Sequence, residues 1–225
     1  MDKTTLLENL RFKVIEKCFK CQMRNTCRNV VFGSGNPDTK MMIIGEGPGE
    51  QEDIQGLPLV GPAGQKLDKA LGKLGIERSE LYLTNIVLCR TDVYNRTPVP
   101  KEWNNCRPRL DMQIQIIKPR VILALGSASC RCLINEGFRI TRGRGTIHRY
   151  LGIPVVPTYH PSYFLHQEGH IRQGLQPGTS AYVEAVSKLK KSMEDFLDDI
   201  KRAYDMAHGE ALEDNVMAQT FVRSE

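Results

Sequence analysis

Four short, nearly unbroken apolar runs constrain the fold of this 225-residue chain more than any other feature. They are Met41-Met42-Ile43-Ile44, residues 81–88 (Leu-Tyr-Leu-Thr-Asn-Ile-Val-Leu), residues 121–126 (Val-Ile-Leu-Ala-Leu-Gly) and residues 154–158 (Pro-Val-Val-Pro-Thr). Helical patterns at 65–74, 101–117 and 127–136 fall between them. A strand that is apolar on both faces must be covered on both faces. Parallel strands joined by helical crossovers meet that demand. The expected fold class is therefore α/β: a single three-layer α/β/α domain around a central, mainly parallel four-stranded sheet.

The flanking segments are read from the same periodicities. Leu6, Leu7, Leu10, Val14 and Ile15 predict a helix over 5–20. Residues 91–100 contain Asn95, Pro98 and Pro100 and cannot be regular, and 137–152 read as a short basic hairpin. From about 181, Tyr182, Val186, Leu189, Met193, Phe196, Ile200 and Tyr204 are spaced as one long amphipathic helix. The domain is expected to span 1–190. Residues 191–225 are expected to form a helical, partly disordered acidic tail. The first half of the helix would pack on the sheet, and the rest would extend into solvent or toward a protein partner.

Composition narrows the class. With 40% hydrophobic and 25% charged residues, the chain is globular rather than disordered. No apolar run approaches the ~20 residues of a membrane span. Met1-Asp2-Lys3-Thr4-Thr5 does not open a signal peptide, so a cytoplasmic protein of prokaryotic or viral type is expected, acting as a monomer. Residues 188–225 hold 6 basic and 9 acidic residues, so the net charge of +5 divides into −3 on the tail and +8 on the body. A basic body points to a polyanionic partner. Seven cysteines in such a chain suit metal ligation or core packing better than disulfides.

Chemistry concentrates in a few places. Cys18-x2-Cys21 is one thiol pair; Cys89 and Cys106 flank the irregular segment as another. Four thiolates suit tetrahedral zinc or an iron–sulfur cluster, and Cys27 is a possible substitute ligand. Cys130 and Cys132 read as core. The loop Gly45-Glu46-Gly47-Pro48-Gly49 follows the first strand, Asn85 lies late in the second, and His160 follows the fourth. Ligands in such folds bind beyond the carboxyl ends of the strands, so these residues would converge on one crevice. Glycines let backbone N–H groups approach a ligand, and a histidine fixed by Pro161 can donate into the crevice. Ser162, Tyr163, Phe164 and Leu165 follow on what reads as a surface loop, where bulky side chains could wedge into DNA. Arg139, Arg142, Arg144 and Arg149 suit phosphate contacts, Arg142 and Arg144 in particular.

Together these motifs resemble the family 4, iron–sulfur uracil-DNA glycosylases. The resemblance rests on residues 45–53 (Gly-Glu-Gly-Pro-Gly-Glu-Gln-Glu-Asp), 56–65 (Gly-Leu-Pro-Leu-Val-Gly-Pro-Ala-Gly-Gln), 83–90 (Leu-Thr-Asn-Ile-Val-Leu-Cys-Arg), 95–100 (Asn-Arg-Thr-Pro-Val-Pro) and His160-Pro161-Ser162. In order and spacing it runs from Cys18 to Leu165. It implies a [4Fe–4S] cluster on Cys18, Cys21, Cys89 and Cys106, with DNA containing uracil as substrate and the target base flipped out of the stack. It implies that Asn85 reads the uracil edge, that His160 donates to the departing base, and that Gly45, Gly47, Pro48, Gly49 and residue 59 line the pocket. Glu46, Glu52 and Asn95 are the candidates for positioning water. Three positions depart from the family pattern. Gly47 replaces an alanine, Leu59 replaces the phenylalanine that stacks on the base, and Asp92-Val93-Tyr94 replace a Pro-Pro turn in a segment one residue longer.

Overall fold

The computed structural model describes residues 1–18 and 21–209. Its helices are α1 (Lys3–Lys17), α2 (Met23–Thr26), α3 (Glu50–Gln55), α4 (Pro62–Lys73), α5 (Pro100–Ile117), α6 (Gly126–Leu133), α7 (Ile140–Gly143), α8 (Pro161–Gly174) and α9 (Ser180–His208). Its strands are β1 (Ser34–Gly35), β2 (Met41–Gly45), β3 (Tyr82–Asn85), β4 (Val121–Leu125), β5 (His148–Tyr150) and β6 (Ile153–Thr158), ordered β1-β3-β2-β4-β6-β5 in one sheet. The four expected strands are its parallel centre. The sheet is nevertheless six-stranded, not four-stranded, because β1 and β5 add antiparallel edges. Edge strands of two and three partly exposed residues carry no apolar run to betray them.

Alternation along the strands sorts the core into two layers. Met42, Ile44, Ile122, Ala124 and Val155 face α1, α5 and α6, meeting Leu7, Leu10, Trp103 and Leu110. Met41, Ile43, Leu83, Leu123 and Val156 face the other way, toward Leu67, Leu71, Phe164, Phe196 and Ile200 of α4, α8 and α9. Both faces of the sheet are thus dry, as the apolar runs require.

Three expectations need correction. The basic segment 137–152 is not a self-contained hairpin: it holds α7 and then β5, whose antiparallel partner is β6. Residues 161–165 open α8 rather than a surface loop, and Phe164 is fully buried. Pro161 at the first helical position presets the helical φ, so the turn leads straight into the helix. The long helix packs in the reverse sense to that expected. Its buried residues run from Ser192 to Ala207, while Val183 and Val186 in its first half are exposed. The folded unit therefore continues past 190; residues 210–225 of the expected tail lie outside the described residues.

The second half of α9 is held by charge as well as by apolar contact. Buried Asp199 accepts from Thr158 Oγ1 at 2.8 Å and from Arg144 Nε and one terminal nitrogen, each at 3.1 Å. Arg144 also pairs with Asp195. This network grips the carboxyl end of β6, two residues before His160. No helix among the described residues is long and apolar enough to cross a membrane.

Candidate active site

At the carboxyl ends of the parallel strands lies a cavity of about 520 Å³. Its walls are the loop Glu46–Gly49, the turn around Leu59 and Gly61, the segment 91–98, and His160, Ser162 and Leu165 from the β6–α8 junction.

His160 is the N-cap of α8. The Ser162 backbone N–H donates to His160 Nδ1 at 3.3 Å, and Ser162 Oγ lies 2.7 Å from the same nitrogen. With Nδ1 accepting, a neutral ring carries its proton on Nε2. Burial pushes the imidazole down to about 4, so it is neutral at physiological pH. Gly126, at φ +84°, leaves room for this ring: a Cβ there would come within 2.6 Å of His160 Cβ. The sequence reading missed Gly126; its only signal was its place at the end of an apolar run.

Asn85 ends β3 opposite Gly45 of β2 in the parallel register. A Cβ on residue 45 would collide with Asn85 Oδ1, so any side chain there would push the Asn85 amide out of place. Asn85 and Gly45 are buried at the strand ends, Gly45 directly before the cavity-lining Glu46. Asn85 Nδ2 is a buried donor without an acceptor among the described residues. Such a group costs about 1–3 kcal/mol unless something supplies an acceptor.

The three candidates for water separate by their bonding. The Glu52 carboxylate accepts from Gly49 N–H (3.1 Å), Val60 N–H (2.9 Å) and Gly61 N–H (2.7 Å). It ties the glycine loop to the turn that carries Leu59, whose backbone is left-handed at φ +52°. Asn95 Oδ1 accepts from Arg90 Nε at 2.7 Å. Glu46 is half-buried in the cavity wall, and desolvation raises its pKa although a hydrogen bond with Thr97 opposes the shift.

The expected DNA contacts divide in the same way. Arg142 is exposed on α7. Arg144 is committed to Asp195 and Asp199, an expectation the structure corrects. Tyr163 stacks on Tyr159 with centroids 5.1 Å apart, and Phe164 packs on Phe196 in the core. Of the proposed wedge only Leu165 reaches the cavity.

None of the seven cysteines is in a disulfide. Cys130 and Cys132 are buried core residues, as expected. The other five stand near one another. Cys27 and Cys89 share a hydrogen bond that lowers the Cys27 pKa and raises that of Cys89, and Cys21 and Cys106 add to the Cys89 shift. Burial pushes Cys106 up to about 11, with smaller contributions from Cys21 and Cys18. Among the described residues, no three Cys, His, Asp or Glu side chains are grouped at metal-holding distance. Cys89 and Cys106 have other thiols beside them, while Cys27 also feels Arg24 and the Asp53 carboxylate; a cluster of thiols is the chemistry an iron–sulfur cluster or zinc takes. Trp103 Nε1, in the same buried layer as Cys89 and Cys106, is a donor lacking an acceptor among the described residues.

A profile of the uracil DNA glycosylase superfamily matches residues 32–190, from just before β1 into α9. The chain belongs to this superfamily. A type-4 uracil-DNA glycosylase of Thermotoga maritima is 44% identical over 153 residues, covering 67% of this chain and 79% of that protein. One from Sulfurisphaera tokodaii is 36% identical over 209 residues, 88% of this chain and 94% of its own length. A third, from Pyrobaculum aerophilum, is 40% identical over 161 residues, 68% and 82% respectively. Cys18, Cys21 and Cys27 precede the matched superfamily segment, whereas the crevice lies wholly within it.

Proposed function

We propose that this chain is a monofunctional uracil-DNA glycosylase, acting on DNA to release free uracil and leave an abasic site. The observation that carries the reading is the pairing, in one strand-end cavity, of a neutral His160 fixed with its donor on Nε2 and a half-buried carboxylate, Glu46.

In the reaction the C1′–N1 bond of an extruded deoxyuridine breaks, and the electron pair leaves with the base. The sugar becomes oxocarbenium-like and the uracil an anion. His160 Nε2–H donates to the developing charge on the base oxygen. A neutral donor whose geometry is already set loses nothing to reorganisation as the bond breaks. Glu46 takes the proton of a water whose oxygen bonds to C1′. Glu52, whose carboxylate already accepts three backbone N–H groups, and Asn95, whose amide is not a base, are positioning residues. Asn85 is the recognition residue: its unpartnered Nδ2 offers a donor to the uracil O4 and its Oδ1 an acceptor for N3–H, a pattern cytosine reverses. Gly45, Gly47, Pro48, Gly49 and Leu59 shape the pocket.

Cys18, Cys21, Cys89 and Cys106 would hold a [4Fe–4S] cluster, with zinc the alternative and Cys27 a neighbouring fifth thiol. When bound, the group supplies structure, tying the segment after α1, the end of β3 and α5 together. The test is incubation of iron-loaded protein with an oligonucleotide containing one uracil, followed by alkali. Strand opening at the uracil is expected. No opening in either single- or double-stranded substrate overturns the reading.

A further inference from the structure

The cavity has one conspicuous deficit. A flipped base is flat and aromatic, yet Leu59 on the inner wall is aliphatic and only 5% exposed. The only phenyl ring lining the cavity among the described residues belongs to Tyr94, at its mouth and 90% exposed. Tyr94 sits in the stretch where this chain departs from the family pattern.

The backbone beneath it is held firmly. Asp92 Oδ1 accepts from Tyr94 N–H (2.9 Å) and Arg96 N–H (3.2 Å). Arg90 donates to Asn95 Oδ1 (2.7 Å) and to the Val93 carbonyl (3.1 Å). Asn95 takes the left-handed conformation that turns the chain, at φ +53°. Arg96 pairs with Glu102 at 2.6 Å, fastening the loop to the start of α5. A braced loop that holds an aromatic side chain almost entirely in water, at the rim of a pocket, spends order on a group with nothing to pack against. A base entering the pocket is such a partner.

We infer that Tyr94 is a binding residue for the extruded base, stacking on it from the cavity mouth and supplying the aromatic face that Leu59 does not. The inference rests on the glycosylase reading and adds to it the residue that covers the base. Base–aromatic stacking predicts that removing the ring weakens binding by roughly tenfold or more.

The experiment measures the affinity of the full chain for two duplexes, one carrying a single 2′-fluorinated, non-hydrolysable deoxyuridine and the other thymidine at that position. For Tyr94→Ala, affinity for the uracil duplex is expected to fall about tenfold or more, with affinity for the thymidine duplex changed less than about twofold. Tyr94→Phe, which keeps the ring, should lose several-fold less than Tyr94→Ala. An unchanged uracil affinity in Tyr94→Ala overturns the inference. So does an equal loss on both duplexes, which would mark a general DNA contact. A Tyr94→Phe as weak as Tyr94→Ala also overturns it, since the hydroxyl would then be the contact. A wild-type chain that shows no preference for uracil and releases none overturns the glycosylase reading as well, so the two failures are distinguishable.

Discussion

The crevice and the thiol region are both assembled from residues far apart in sequence, but they are finished to different degrees. In the crevice the groups that hold the loops and the histidine already have their partners, and, among the described residues, the Asn85 Nδ2 donor is the one left open toward the base. Glu52 holds three backbone N–H groups, Ser162 fixes the His160 ring, and Arg90 fixes Asn95. In the thiol region Cys89 and Cys106 have other sulfurs beside them, and the buried Trp103 indole N–H has no acceptor among the described residues. The crevice is preorganised by the protein alone; on the proposed reading, the thiol region would be completed by the cluster it holds. Damage to the first should therefore remove chemistry and keep the fold. Damage to the second should remove the fold, with chemistry following.

The largest expected effect tests the second half. Cys89→Ala or Cys106→Ala should abolish the broad absorbance near about 400 nm of iron-loaded protein and lower Tm by roughly ten degrees or more, as loss of a structural metal group does. A variant that lost the colour but kept its Tm would break the comparison. Next, His160→Ala should lower turnover about 10²–10³-fold, the usual cost of one anion-stabilising donor, with Tm shifted by only a few degrees. Asp199→Ala sharpens the boundary between the regions. It leaves Arg144 with Asp195 as its one acidic partner among the described residues and frees the buried Thr158 hydroxyl at the end of β6, which should cost about 1–3 kcal/mol of stability by denaturant unfolding. At permissive temperature its turnover should exceed that of His160→Ala.

The smallest effects concern pH. Desolvation raises Glu46 above its ordinary value of 4.5, so the acid limb of kcat should lie above 4.5 and disappear in Glu46→Gln. His160 behaves oppositely. Its folded pKa is depressed from 6.5 to about 4, so between these values the unfolded chain binds the extra proton. Its contribution to stability is full above 6.5 and is lost as pH falls toward 4. His160→Gln should flatten that part of the stability profile. An inflection of kcat at 6.5 that vanished with His160 would contradict the neutral-donor role.

What the sequence made legible follows the same physics. The four central strands were readable because burial on both faces leaves an apolar run. The run at 81–88 overstated its strand because Ile86 and Val87 leave the regular ladder after Asn85 yet stay buried, their N–H groups donating to Gly45 and Glu46 carbonyls. The crevice residues were readable from their places after strand ends. Arg144 was misjudged because an arginine that meets phosphate and one that meets Asp199, fifty-five positions on, have the same local sequence. Phe164 was misjudged for a related reason: Pro161 signals a helix start, but only the position of α9 decides that the helix buries its third turn-neighbour in the core. Periodicity revealed α9 itself, but both of its halves are amphipathic, and which half meets the sheet depends on where β6 ends.

The central claim is that the crevice excises uracil by itself, provided the thiol region is filled. It is tested most directly by alkali cleavage of oligonucleotides carrying uracil, thymine or cytosine at one position, using brown, folded wild-type protein and equally brown, equally folded His160→Ala. Opening at uracil alone by the wild type, slowed about 10²–10³-fold in the variant, is the predicted result. No opening by the wild type, or equal opening by both proteins, would contradict it.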